Sequence, residues 1–226
     1  MVQYHKYNIE QMTYLNMPEK WPPNGYTEPQ EYSRSDRVIL ALGAVLAVLF
    51  GISTIQPITA GTEVYIKEWL AVALSIGFSP VTAAILGAGL AGVGFVVLFY
   101  GVVTPIHESI HYVVALLLNL NPDFGYQGTG FLKNPRVVAL STGIPVWKNM
   151  LMLIAPFLII GLVSVSIVFV SNGLIAGVAG VVLWVNSAAS SQDLYHCVRL
   201  LRMDPETKFA NFEQDGEIRT EYAVPK

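Results

Sequence analysis

Residues 107–111 read His-Glu-Ser-Ile-His, within the apolar run GVVTPIHESIHYVVALLL. On a helix, residues i and i+4 share a face, so His107 and His111 can offer two imidazole nitrogens to one metal ion. Glu108 projects beside them, placed to take a proton from a water acidified by that metal. Zinc brings the pKa of such a water to about 7 and so creates a nucleophile at neutral pH. The plainer alternative is that the histidines are hydrogen-bonding glue between membrane helices. Glue has no need of Glu108, the hardest of the three to bury unpaired, so metal binding is the preferred reading.

Catalytic zinc usually takes three protein ligands, which leaves one to be found. The aspartates are Asp36, Asp123, Asp193, Asp204 and Asp215. Asp193 lies about 20 residues beyond Gly173, where the last apolar stretch begins, and His107 about 22 residues beyond the mid-80s. Both are then about 30 Å along their helices, at the same depth. Asp123 follows His111 in an Asn-Pro-Asp turn that also reads as loop punctuation. His196, three residues past Asp193 on the same face, is a further candidate to replace or support it. Asn186, two turns before Asp193, could hydrogen-bond a carboxylate or a tetrahedral intermediate, or join two helices. Thr104-Pro105 either caps a new helix just before the ligands or kinks one long helix.

The elements that must carry these residues are apolar. The 226-residue chain is 53% hydrophobic and only 13% charged, where soluble domains carry about 25% charged residues. Its net charge of −3 gives no reason to expect nucleic acid as a partner. The single cysteine, Cys197, excludes an internal disulfide. Residues 1–37 are polar and lack the short apolar core of a signal peptide, so the first hydrophobic segment is expected to remain in the mature protein. Four apolar stretches approach or exceed the roughly 20 residues that cross a bilayer: Val38 to Ile58, Pro80 to Leu120, Met150 to Val170, and Gly173 to about Ser190. The piece 68–78 is shorter and is expected to be interfacial or re-entrant.

Four spans put twelve of the thirteen basic residues on one face and only Lys67 on the other, a strong positive-inside signal that makes both termini cytoplasmic. Two polar regions share that face. The loop 121–149 is too long for a plain helix connection; its VVALST run is β-like, and Gly125, Gly128 and Gly130 precede it. The tail 204–226 carries Asp215-Gly216 between partly alternating flanks, a hairpin signal.

These residues resemble a known family. HESIH after an apolar span, LMLIAPF with Ala155-Pro156 in the next, SSQD ending the last span and a tail closing in DGEIRTEYAV are similar to the zincin peptidase family of multispan membrane proteins, related to the site-2-protease type of intramembrane metalloprotease. The likeness covers about residues 85–222. It implies that His107, His111 and Asp193 are zinc ligands and that Glu108 is the general base. Gln192 stands where a glycine commonly precedes that aspartate in such relatives.

The expected protein is therefore an all-α integral membrane protein with about four transmembrane helices and a small cytoplasmic β element. Residues 1–37 form a polar tail, 38–203 the membrane-embedded metalloprotease-like domain, and 204–226 the cytoplasmic tail. The expected activity is zinc-dependent hydrolysis of a peptide bond at or within the membrane, with Zn²⁺ as cofactor and a peptide or membrane protein as substrate. The expected location is a prokaryotic cell membrane. The competing reading is an inactive metal-binding scaffold or a metal transporter. A transporter would need polar groups along several spans, whereas here they gather at one level. Cysteine-accessibility labelling should find both tails and the 121–149 loop on the cytoplasmic side and Lys67 opposite; labelling of either tail from outside would overturn this topology.

Overall fold

The computed structural model describes residues 21–127, 134–214 and 217–226. Within them the chain is mostly helical. Helix α1 (Asp36–Ser75) is one unbroken element of 40 residues, about 60 Å long at about 1.5 Å per residue. The segment expected to be interfacial or re-entrant, 68–78, instead continues α1 to Ser75. The physical reason is local: from Thr62 to Ser75 no Gly or Pro interrupts the helix. The stop comes at Gly77, whose φ of +91° suits only a residue without Cβ. Phe78 N–H then donates to Ala73 carbonyl at 3.1 Å and Gly77 N–H to Leu74 carbonyl at 3.1 Å, closing the helix end. Ser79 caps the next helix through the Thr82 N–H, 3.2 Å away, with Pro80 in its first turn.

Helix α2 (Pro80–Val96) passes through a π-helical stretch (Val97–Val103) into α3 (Thr104–Leu117), which carries the histidines. Thr104-Pro105 thus neither caps a fresh helix nor simply kinks an old one. Proline has no N–H and crowds the carbonyl four residues back. The chain widens just before it: Thr104 donates both its N–H and its hydroxyl to the Phe99 carbonyl, the latter at 2.9 Å.

Helix α4 (Val146–Val170) begins four residues earlier than expected, and α5 (Gly173–Ala189) meets α6 (Ser191–Leu200) at a 49° bend. Three helical spans, 36–75, 80–117 and 146–170, are long and apolar enough to cross a membrane, or four if the bent pair counts as one. Most large apolar side chains on α1, α2 and α4 point outward, as lipid-facing residues would. Helices α1 and α5 pack most closely at Gly61 and Gly177, where a Cβ added to either would come within 2.7 Å of the other's Cα. Such approach of small residues is how helices pack without a hydrophobic driving force in lipid.

The β structure is richer than one hairpin. A four-stranded sheet has the order β1 (Gln30–Glu31), β6 (Glu217–Ala223), β5 (Lys208–Gln214), β4 (Ile144–Pro145), and β2 (Pro122–Gln127) pairs with β3 (Asn134–Ala139) in a second hairpin. All pairings are antiparallel. Only Val137, Val138 and Ala139 of the VVALST run belong to β3. The turn expected at Asp215-Gly216, the loop glycines 128 and 130, and residues 1–20 of the N-terminal tail lie outside the described residues. Phe209, Ile144, Leu200 and Ala115 are buried together where sheet meets helices, so the sheet docks against the same end of the bundle that holds the polar motif.

Candidate metal centre

Helix α3 presents His107 and His111 one turn apart, and α6 brings Asp193 to them. The Asp193 Oδ2 lies 3.1 Å from His107 Nε2 and 3.4 Å from His111 Nε2, and the two Nε2 atoms are 3.2 Å apart. Both histidines are buried. The depths inferred from the sequence therefore coincide, but along a broken path. The bend between α5 and α6, at Ser190, turns Asp193 inward; Ser187 and Ser190 donate their hydroxyls to the carbonyls of Leu183 and Asn186, at 2.7 and 2.8 Å, a back-bonding pattern that bends helices.

The protons on the two rings can be assigned from their partners. His111 Nδ1 is 2.8 Å from the Met152 carbonyl, which can only accept, so Nδ1 carries the hydrogen. That carbonyl is free for a reason in the sequence: the residue four positions on is Pro156, which has no N–H to offer it. His107 Nδ1 is 3.0 Å from Asn186 Oδ1. The Asn186 amide is oriented by its Nδ2, which donates to the Pro156 carbonyl at 3.5 Å, so His107 Nδ1 is also the donor. Neutral rings held this way turn both Nε2 lone pairs toward each other and toward the Asp193 carboxylate. Three lone-pair atoms so close repel unless a proton or a metal ion sits among them, and no Lys or Arg occurs between residues 149 and 198 to supply the charge.

The spacing fits a metal. Zinc bonds histidine nitrogen and carboxylate oxygen at about 2.0–2.2 Å, so neighbouring ligands of a tetrahedral site are about 3.3 Å apart. The three separations, 3.1, 3.2 and 3.4 Å, lie on either side of that value. His107, His111 and Asp193 form a group that could hold a metal ion, all candidate ligand atoms lying within 4.8 Å of one another. The three side chains border an open cavity of about 1130 Å³ that Glu108, Val137, Gln192 and His196 also line. Glu108 is half-buried and accepts the Val137 N–H at 2.8 Å. Register pairs Val137 with Phe124, yet this N–H points away from β2, so the outer edge of β3 runs beside the carboxylate.

The other candidates are elsewhere. Asp123 is exposed and sits opposite Val138 across the β2–β3 hairpin. His196 lies outside the group of close ligand atoms and bonds Tyr32. Asn186 meets neither a carboxylate nor an open position: it joins helices, bonding the His107 ring on α3 and the Pro156 carbonyl on α4. Reasoning on the sequence missed its hold on the His107 ring, the Met152 carbonyl and the Val137 amide. Pro156 was the available signal for the second of these. The Val137 contact had none, because it depends on how a hairpin folds back.

Asp193→Asn should weaken zinc binding strongly while the fold survives, since shape is kept and charge is lost. Asn186→Leu should weaken it by roughly 10–100-fold, the usual cost of losing a partner that orients a ligand, and Asp123→Asn should have no effect. Competition titration with a chelator measures all three, and unchanged affinity in Asp193→Asn would remove it from the site.

Residues 100–208 match the model of a family described as "Putative zincin peptidase", a stretch that contains His107, Glu108, His111 and Asp193. No curated protein and no solved structure matches the chain. The match supports a zincin-like peptidase family, for which a zinc ion is the implied cofactor.

Proposed function

We propose that this protein is a zinc-dependent, membrane-embedded peptidase that hydrolyses a peptide bond at or within the membrane, with both termini cytoplasmic. The observation that carries the reading is the convergence of three lone-pair atoms, at metal-ligand spacing, beside a glutamate and an open cavity. His107, His111 and Asp193 would hold the ion. Zinc in that position supplies a Lewis acid that polarises a carbonyl and brings the pKa of a water to about 7.

The chain's own groups do the rest. Glu108 follows His107 on α3 and faces the same cavity, so it takes the proton from the attacking water as the water oxygen bonds to the carbonyl carbon. As the C–N bond breaks, Glu108 returns that proton to the departing amine. Holding the carboxylate by one backbone N–H leaves its other oxygen free to do this. Substrate must be extended to expose its carbonyl, and the outer edge of β3 could receive it by strand addition. That edge is short. Pro135 has no N–H, and the Ala139 carbonyl already accepts from Asn211 Nδ2 at 3.0 Å and Ser141 N–H at 2.9 Å. The Val137 N–H is taken by Glu108, so the Val137 carbonyl would fix the register of the bound strand.

Glu108→Gln separates this reading from an inert metal scaffold or a transporter. The variant should retain zinc, because no ligand changes, and should lose turnover of a quenched-fluorescent peptide or membrane-protein fragment by at least about 100-fold, the scale of general-base catalysis. Equal turnover in wild type and variant would make the carboxylate structural.

A further inference from the structure

The mechanism so far stabilises the carbonyl oxygen from one side only. Among the described residues one more histidine borders the cavity, His196, one helical turn beyond Asp193. Its ring nitrogens lie outside the group of close ligand atoms formed by His107, His111 and Asp193, yet side chains one turn apart on a helix are neighbours, so His196 is near enough to reach an atom bound there.

Its ring is held from behind. His196 Nδ1 lies 3.2 Å from the Tyr32 hydroxyl, on the chain segment that leads from β1 into α1. Tyr32 is itself fixed: its ring meets Phe209 and Tyr222 edge-on, and the Arg199 guanidinium lies 4.2 Å over its face. Burial pushes the Tyr32 hydroxyl up to about 12 despite the opposing charge of Arg199, so it keeps its proton. That hydroxyl has no other protein acceptor among the described residues, and where it donates to His196 Nδ1 it sets the tautomer of the ring. The ring hydrogen must then sit on Nε2. Among the described residues only the Thr207 hydroxyl is sealed from solvent without a partner. The unpartnered Nε2–H of His196 therefore reaches open space, and the space that His196 borders is the cavity.

We infer that His196 is a second catalytic residue, donating Nε2–H to the carbonyl oxygen of the substrate as it becomes an oxyanion, and that Tyr32 is the positioning residue that fixes its tautomer. This rests on the peptidase reading. No bond to His196 is made or broken: the water oxygen adds to the carbonyl carbon, the carbonyl electron pair moves to oxygen, and the imidazole N–H stabilises that charge. A preorganised donor of this kind counts most in a site shielded from bulk water.

Two probes with the same dipeptide side chains test it on the zinc-loaded protein. A phosphonamidate presents a tetrahedral, charged oxygen where the oxyanion would form, and a hydroxamate binds chiefly through the metal. Wild type should bind both. His196→Ala should keep its zinc and its hydroxamate affinity but lose phosphonamidate affinity by roughly 10–100-fold, at or below the usual cost of removing an oxyanion donor. His196→Gln, whose amide N–H can reach nearly as far, should recover part of it, and Tyr32→Phe should show a smaller loss of the same selective kind. Equal effects on both probes, or none on either, would overturn the inference while leaving the peptidase intact. Loss of zinc in His196→Ala would make the residue a ligand and overturn it too. Failure of zinc-loaded wild type to bind either probe would overturn both readings.

Discussion

Two imidazole nitrogens and a carboxylate oxygen point their lone pairs at one spot inside an apolar bundle. Left alone, that arrangement is repulsive, and in a membrane an unpaired carboxylate is expensive. The surrounding structure nevertheless enforces it. Each ring has its proton drawn to the far side by an acceptor that cannot donate, and the aspartate is turned inward by a bend in its helix. Three acceptors fixed in this way form a group that could hold a cation, and the remaining parts of the cavity are arranged around it.

Pro156 shows how the backbone contributes. In α4 it removes one helical hydrogen bond and so leaves the Met152 carbonyl without a partner; His111 becomes that partner. Its own carbonyl accepts from Asn186, whose oxygen then holds His107. One proline thus orients both histidines, one directly through the carbonyl it frees and the other through an amide. Outer partners that fix the tautomer and direction of ligating histidines raise their basicity toward the metal. The cost of a proline inside an apolar helix long enough to cross a membrane is offset by partners on neighbouring helices.

Much of this was legible in the sequence, because it depends on periodicity and spacing. HESIH needs only a helix to put its histidines on one face. The depth of Asp193 follows from counting residues from Gly173, and an unbroken path was not needed for the count to succeed, since a bend at Ser190 changes direction more than height. What could not be read was long-range. Asn186 looked as suited to a carboxylate or an intermediate as to joining two helices, because its partner lies 79 positions away in the chain. The β3 edge reaches Glu108 only through the docking of a hairpin. The extension of α1 through 68–75 was missed for a different reason: 68–78 stands apart as a short apolar piece, and a gap between two apolar stretches does not stop a helix when no Gly or Pro is present.

The most direct test of the central claim is X-ray absorption at the zinc edge of the purified wild-type protein, with metal content measured on the same sample. One zinc per chain, with two imidazole nitrogens and oxygen donors at about 2.0–2.2 Å and no sulfur, is the predicted result. A protein that stays metal-free after exposure to zinc, or a bound ion with only one imidazole or with the sulfur of Cys197 in its shell, would contradict the account.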